Sequence, residues 1–194
     1  ISKPLREPLA QNYADQPVSL LEPRVSTLDG TRKLLYALRD GNCVEGVLMH
    51  YHHGYTLCLS TQVGCRMGCA FCASTLSGCV RSLSAAEMLG QVHCANRLIA
   101  DDHISNIVLM GSGEPLDNYD NVTRFLRLVS NPDGLNIGLR HISLSTCGLV
   151  PQMKRFAREG LPVTLSLSLH APNDTIRRQL MPVANAFAME DVLD

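Results

Sequence analysis

The stretch Cys65-Arg66-Met67-Gly68-Cys69-Ala70-Phe71-Cys72 places three thiols within eight residues. Neither a straight helix nor an extended strand directs three side chains with this spacing to one centre, so the segment must wrap. Gly64 and Gly68 supply the backbone freedom that such a loop requires. We therefore predict that the three cysteines converge on a single site.

The chemistry of this loop follows from its number of thiols. The spacing C-x3-C-x2-C, with an aromatic residue before the last cysteine, favours a [4Fe-4S] cluster bound by Cys65, Cys69 and Cys72. Such a cube normally takes four thiolates, so three leave one iron with open coordination positions. S-adenosylmethionine (SAM) can chelate that iron through its amino and carboxylate groups. An electron from the cluster then breaks the sulfonium bond and releases a 5′-deoxyadenosyl radical.

Two other interpretations of the three cysteines stay open. A structural zinc site would need further ligands, which could come from Cys58 or from the histidines His50, His52 and His53. Disulfides would require an oxidising compartment. The sequence shows no basic and apolar leader and no apolar run of about 20 residues, so we expect a cytoplasmic protein that does not contact a membrane.

Composition is that of a soluble globular protein. Of the 194 residues, 45% are hydrophobic and 18% are charged, and the net charge is −1. This balance excludes a disordered chain and indicates no strongly basic surface for nucleic acid. We expect the chain to be truncated at both ends, because it begins at Ile1 without a methionine and ends at Asp194 within a helical pattern.

The pattern of residues divides the chain into three parts. Residues 1–26 carry four prolines and predict an irregular lead-in. Residues 27–57 predict a small antiparallel β meander, with strands at 32–39, 44–51 and 55–61. Residues 58–194 alternate strands and helices. The capping-box sequence Ser84-Ala85-Ala86-Glu87 begins a predicted helix, since Met88, Leu89, Val92 and Ala95 follow at helical spacing. Further helices are predicted at 118–130, 151–159 and 174–180, and strands at 104–110, 142–145 and 163–169.

Alternating strands and helices of this length predict right-handed βαβ units on a parallel sheet. The expected fold is therefore α/β, an incomplete (β/α) barrel preceded by the antiparallel meander. In such folds ligands bind at the carboxyl ends of the strands. That rule draws attention to Gly111-Ser112-Gly113-Glu114, to Ser145, and to Ser168-Leu169-His170.

The loop resembles the radical SAM superfamily, and its surroundings resemble the adenosine-C2 RNA methyltransferases of the RlmN/Cfr type. The resemblance runs from about Thr27 to the end of the chain. It is carried by several motifs in the same order: Asp40-Gly-Asn-Cys-Val-Glu45, Thr56-Leu-Cys-Leu-Ser-Thr-Gln-Val-Gly-Cys65, Met110-Gly-Ser-Gly-Glu-Pro-Leu116, Leu144-Ser-Thr146 and Ser168-Leu-His-Ala-Pro-Asn173. The chain departs from the family pattern at Gly46, Ser82 and Cys147, where Thr, Asn and Ser are usual.

The resemblance implies a set of residues that bind SAM. Gly113 and Glu114 would hold its methionine end, since a carboxylate can accept hydrogen bonds from the ammonium group. Ser145, Ser168, Leu169 and His170 would contact the ribose and the carboxylate. Phe71 is expected near the adenine, although a role in the core is an equal alternative. Taken alone, the glycine-rich turn, the serines and the histidine could each be ordinary structural residues.

The resemblance also implies two catalytic residues, Cys58 and Glu45. Cys58 would resolve a methylated intermediate, and Glu45 matches the proposed general base; the alternatives are a small buried cysteine and a solvated glutamate. Cys43, Cys79, Cys94 and Cys147 are interpreted as structural. In the family a second cysteine near the C-terminus carries the methyl group from one SAM, and the radical from a second SAM activates it for addition to C2 of an adenine. Turnover leaves that cysteine and Cys58 as a disulfide, which must be reduced.

The expected activity is thus methylation of adenosine C2 in 23S rRNA and tRNA, with a flavodoxin-like electron donor. The methyl-carrying cysteine is not found in these residues, so we expect no turnover from residues 1–194 alone. Three alternatives stay open: C8 methylation within the same family, a non-catalytic iron–sulfur or zinc-binding remnant, and a radical SAM enzyme with another substrate.

Overall fold

A mixed sheet of eight strands forms the centre of the structure, a computed structural model that describes residues 2–12, 16–99 and 102–194. The strands are β1 Val18–Leu20, β2 Arg24–Val25, β3 Arg32–Leu38, β4 Cys43–Tyr51, β5 Gly54–Cys58, β6 Gln62–Gly64, β7 Cys79–Ser82, β8 Ile104–Leu109, β9 Ile142–Thr146 and β10 Thr164–Leu167. The helices are α1 Lys3–Asn12, α2 Ala85–Asn96, α3 Tyr119–Val129, α4 Val150–Arg158, α5 Asp174–Leu180 and α6 Met189–Leu193. Strands β6 and β7 form a separate two-stranded sheet, and the others follow the order β1-β3-β4-β5-β8-β9-β10, with β2 beside β3.

The first half of the large sheet is the predicted antiparallel meander. Strands β3, β4 and β5 pair antiparallel in sequence order. Both connections turn through a glycine with positive φ, at Gly41 (85°) and Gly54 (108°), a conformation that glycine adopts without steric cost. The meander prediction is therefore confirmed.

The second half is parallel. Strand β5 pairs parallel with β8, β8 with β9, and β9 with β10. Helix α2 lies between β5 and β8 in the chain, α3 between β8 and β9, and α4 between β9 and β10. The α/β fold class with an incomplete barrel of parallel strands is thus confirmed, and the carboxyl ends of β8, β9 and β10 meet at one edge of the sheet.

The two faces of the sheet differ in polarity because side chains alternate along each strand. One face is apolar and fully buried, and it includes Leu34, Leu48, Leu57, Ile107 and Leu144, which pack in a single core with residues of α2 and α3. The register aligns Val47, Cys58, Val108, Ser143 and Thr164 on the opposite face. We call this second surface the polar face; it carries the site described below.

Two features of the first part of the chain differ from the sequence prediction. The prediction of an irregular lead-in is wrong for much of residues 1–26. Segment α1 is a helix, and β1 and β2 pair antiparallel with β3. The proline content predicted a loop. However, the backbone of β3 can pair with any extended segment beside it, and the sequences of β1 and β2 show no strand pattern of their own. Residues 1 and 13–15 of that span lie outside the described residues.

The division of the chain at residues 26 and 57 stays a prediction. Strand β5 runs across the second boundary and joins the antiparallel and parallel halves in one continuous sheet. No helix in the described ranges is long and apolar enough to cross a lipid bilayer.

Candidate functional site

The cysteine loop connects β6 to β7 and wraps as its spacing predicts. Gly64 and Gly68 have φ values of 75° and 70°, which lie in the left-handed region. The amide of Cys65 donates to the carbonyl of Gly78 (3.0 Å), and the amide of Cys72 donates to that of Cys69 (3.0 Å). These bonds close the loop on itself, and all three of its cysteines line one cavity.

The loop covers a cavity of about 340 Å³ at the carboxyl edge of the parallel strands. Nine of the residues predicted from the sequence line it: Cys65, Cys69, Phe71, Cys72, Gly113, Glu114, Ser145, Ser168 and His170. Larger surface cavities, of about 580, 570, 470 and 370 Å³, contain no cysteine among their lining residues except the single Cys94 of the last. The cavity under the loop is therefore the candidate site on chemical grounds, although it is not the largest.

Glu114 forms the buried wall of this cavity. It is 4% exposed, and its two carboxylate oxygens accept from the amides of Leu116 (3.1 Å) and Cys147 (2.8 Å). Its own amide donates to Oε1 of Gln62 (2.9 Å). Burial raises the pKa of Glu114, while the hydrogen bonds from Cys147, Thr146 and Leu116 act in the opposite direction. The carboxylate is thus held in one orientation, with lone pairs left for a ligand.

The ends of β9 and β10 supply hydroxyl groups. The Oγ atoms of Ser145 and Ser168 lie 3.0 Å apart, and each hydroxyl can both donate and accept. His170 has a φ of 56°, a conformation that is uncommon for a residue other than glycine. Its ring meets the ring of Phe71 edge to face, with centroids 4.9 Å apart. This contact joins the cysteine loop to the segment after β10. Leu169, which is also predicted to bind SAM, does not line the cavity.

The donor set fits a cluster with an open iron. Burial raises the pKa of the Cys65 and Cys69 thiols, and metal binding would remove their protons. Of the residues that the structure describes, no three His, Cys, Asp or Glu side chains form a group for a single metal ion. A [4Fe-4S] cube instead spreads its thiolate ligands over separate irons. Three thiols around one cavity, beside a buried carboxylate and two hydroxyls, suit a cluster together with a polar ligand.

Two further residues at the site have no predicted role in ligand binding. Cys147 follows β9 and lines the cavity, and its pKa is raised, first by burial and then by the carboxylate of Glu114. From the sequence this cysteine is interpreted as structural. The available signals are its position directly after the motif Leu144-Ser-Thr146 and its departure from the serine that is usual there. Arg177 in α5 is fully buried, and its Nη2 donates to the carbonyl of Cys147 (2.6 Å). Nothing in the sequence separates it from its exposed neighbour Arg178.

Glu45 and Cys58 lie outside the cavity lining but share the polar face with it. Cys58 aligns with Val47 in β4 and Val108 in β8, and Glu45 is two residues from Val47 on the same side. Burial raises the pKa of the Cys58 thiol, which accepts from the amide of Met110, a residue of the cavity wall. The Glu45 carboxylate is half exposed and pairs with Nζ of Lys33 at 2.7 Å.

Comparison with known proteins agrees with this geometry. The family model described as the Radical SAM superfamily matches residues 59–193, more than two thirds of the chain. The chain belongs to the radical SAM superfamily. Membership confirms the expected cofactors, a [4Fe-4S] cluster and SAM, and the enzymatic class.

Sequence similarity to curated proteins extends over the whole chain. It is 53% identical to the "Probable dual-specificity RNA methyltransferase RlmN" of Clostridium novyi, over 100% of this chain and 56% of that protein. Identity to the protein of the same name from Lachnoclostridium phytofermentans is 55%, over 100% of this chain and 54% of that one. The chain thus spans about half the length of these radical SAM relatives, which are RNA methyltransferases by name.

A solved structure supports the architecture. The crystal structure of a radical SAM methyltransferase from Sphaerobacter thermophilus superposes with a TM-score of 0.93 at 42% identity, over 100% of this chain and 57% of that one. The strands and the cysteine loop of the present chain therefore adopt the arrangement of a known member of the superfamily.

Proposed function

We propose that this chain carries the cluster and SAM site of an RNA methyltransferase that methylates C2 of adenosine in 23S rRNA and tRNA. The observation that carries the proposal is the shared cavity, in which the three thiols face the polar ends of β8, β9 and β10. Identity above 50% to proteins named as RNA methyltransferases supports the substrate class.

The residues of the cavity have separate roles in this proposal. Cys65, Cys69 and Cys72 would hold the cluster, and Gly113 with Glu114 would orient the methionine end of SAM. The hydroxyls of Ser145 and Ser168, together with Leu169 and His170, would contact the ribose and carboxylate, and Phe71 would lie near the adenine. When bound, the reduced cluster and SAM supply the carbon radical that starts the reaction.

Cys58 and Glu45 act on the substrate in this proposal. Both lie on the polar face, outward from the cavity, where an RNA base could reach them. Because burial raises the pKa of Cys58, its thiol keeps its proton until an acceptor approaches. Glu45 would be that acceptor or would remove the proton from the adenine, and Lys33 holds its carboxylate in place. Partners would be rRNA, tRNA and a flavodoxin-like donor in the cytoplasm.

The first test is electron paramagnetic resonance of the chain reconstituted anaerobically with iron and sulfide. We expect a [4Fe-4S]⁺ signal after reduction, and a change in its g values when SAM is added. Tightly bound zinc and no cluster would contradict the proposal.

The second test addresses the substrate, using the product of the complete gene. After incubation with rRNA and tRNA, mass spectrometry of the nucleosides should detect 2-methyladenosine. Detection of 8-methyladenosine would assign the other regiochemistry, and no methylated adenosine would refute RNA methylation. Cys58→Ala and Glu45→Gln should abolish the product but preserve the SAM-dependent g shift, because neither residue lines the cavity. Cys43→Ala, at an exposed position, is the matched control.

A further inference from the structure

Arg177 is a buried cation with fewer hydrogen-bond partners than it has donor atoms. Its side chain is 0% exposed, and only Nη2 has a partner, the carbonyl of Cys147 at 2.6 Å. The Nε and Nη1 atoms are buried without a hydrogen bond. Within the described part of the chain no carboxylate forms an ion pair with it.

Without a further partner, this arrangement lowers the stability of the fold. A buried charge is normally paired, and each buried donor left without an acceptor destabilises the fold. Arg177 is therefore an uncompensated positive charge in the interior of the described part of the chain.

The surroundings of Arg177 place its charge close to the cysteine loop. Helix α5 ends at Leu180, whose carbonyl accepts from the amide of Ala70 (2.8 Å) in the cysteine loop. Leu180 and Met181 pack with Cys69 and Cys147, and Met181 lines the cavity. The guanidinium thus lies behind the cavity wall, bonded to the carbonyl of Cys147 and outside the cavity lining.

We propose that the buried positive charge of Arg177, acting through the cavity wall, raises the reduction potential of the cluster bound by Cys65, Cys69 and Cys72. This inference rests on the proposed cluster site. Three thiolates around a [4Fe-4S]²⁺ core leave a net negative charge, which grows when an external reductant adds one electron. A buried cation stabilises the reduced form more than the oxidised form, because attraction increases with the charge of the cluster.

A purely structural role is the alternative. Arg177 would then only tie α5 to the segment after β9 through the carbonyl of Cys147. The reduction potential distinguishes the two roles, since a structural tie would change stability without changing the balance between oxidised and reduced cluster.

The test is a redox titration of the reconstituted chain, followed by electron paramagnetic resonance. For Arg177→Met we expect the ratio of reduced to oxidised cluster at a fixed potential to fall at least tenfold, which is a shift of about 59 mV for a one-electron couple. Arg177→Lys keeps the charge and should recover part of the shift. Arg178→Met, at the exposed neighbour, should titrate like the parent.

Thermal unfolding of the cluster-free proteins is the second readout. Arg177→Met should be at least as stable as the parent, because the unpaired donors are gone. A parent-like potential in Arg177→Met would overturn the inference, as would a potential in Arg177→Lys equal to that of Arg177→Met. If Arg177→Met does not fold, Arg177→Gln replaces it in the same comparison. A parent that binds no cluster would refute the proposed function itself, and the inference with it.

Discussion

At the scale of single residues, the site depends on positions where only one residue type satisfies the backbone. Gly113 has a φ of 102°, and a Cβ built on it would lie 2.6 Å from Cβ and 2.8 Å from the amide nitrogen of Gln62. Gln62 in turn accepts from the amide of Glu114. The turn after β8 is therefore packed so closely that its glycine sets the orientation of the carboxylate beside it.

Replacing Gly113 by alanine tests this packing. Strain at positive φ and the clash with Gln62 should together lower the free energy of unfolding by about 2–4 kcal/mol. Gly160→Ala is the matched control, since Gly160 has a φ of 64° but open space around its Cβ position. Urea unfolding should show a clearly larger loss for Gly113→Ala. Equal losses would mean that only the backbone conformation matters.

Glu114→Gln tests the buried carboxylate. Glutamine has one acceptor oxygen where the carboxylate has two, so either Leu116 or Cys147 loses the partner of its amide. We expect a loss of about 1–3 kcal/mol in unfolding free energy and a cluster signal that no longer changes with SAM. Glu159→Gln, away from the cavity, should keep the SAM response. An unchanged SAM response in Glu114→Gln would exclude the assigned role.

At the scale of elements, helix α2 is anchored at its first turn. Ser84 and Glu87 form the predicted capping box, and Glu87 also accepts from both Nη atoms of Arg81. Arg81 reaches back to Asp40 in the turn between β3 and β4. One guanidinium thus connects the meander, β7 and the helix that follows the cysteine loop.

The substitution Glu87→Gln tests this anchor through the pH dependence of the free energy of unfolding. Burial raises the pKa of Glu87, but the hydrogen bonds from Arg81 and Ser84 outweigh it and place the pKa below the ordinary 4.5. A lowered folded pKa gives stability that is present above pH 4.5 and is lost as pH falls through the folded value. The parent should therefore exceed Glu87→Gln by roughly 1 kcal/mol at pH 7 and lose that advantage in acid. Glu22→Gln, at an exposed position, is the control and should leave the free energy of unfolding at pH 7 unchanged.

At the scale of the whole molecule, the sheet has one apolar and one polar face, and the cysteine loop closes the carboxyl edge of its parallel half. The loop contacts distant parts of the chain: Phe71 meets His170, and Ala70 bonds to Leu180. A cluster held by the loop would therefore stabilise elements from β6 to α5 together.

Cluster loading should raise the thermal stability of the chain. Because a metal centre that binds only the folded form adds its binding energy to folding, we expect a gain above ~2 kcal/mol, or about 4–8 °C for a chain of this size. Cys69→Ser should remove the gain. Cys43→Ser, at an exposed cysteine, should retain it together with the iron content. Equal melting temperatures with and without cluster in the parent would contradict the coupling.

The local elements and the convergence of the three cysteines could be predicted from the amino-acid sequence. The spacing of Cys65, Cys69 and Cys72 predicted a wrapped loop with convergent thiols, and the strand ends predicted the positions of Glu114, Ser145 and Ser168, because carboxyl ends of parallel strands meet at one edge. Three features could not be predicted and are seen only in the folded chain: the pairing of β1 and β2 with β3, the burial of Arg177, and the place of Cys147 in the cavity wall. These three features depend on contacts between residues that are far apart in the chain. The residue type of an arginine or a cysteine does not by itself indicate which residues will surround it.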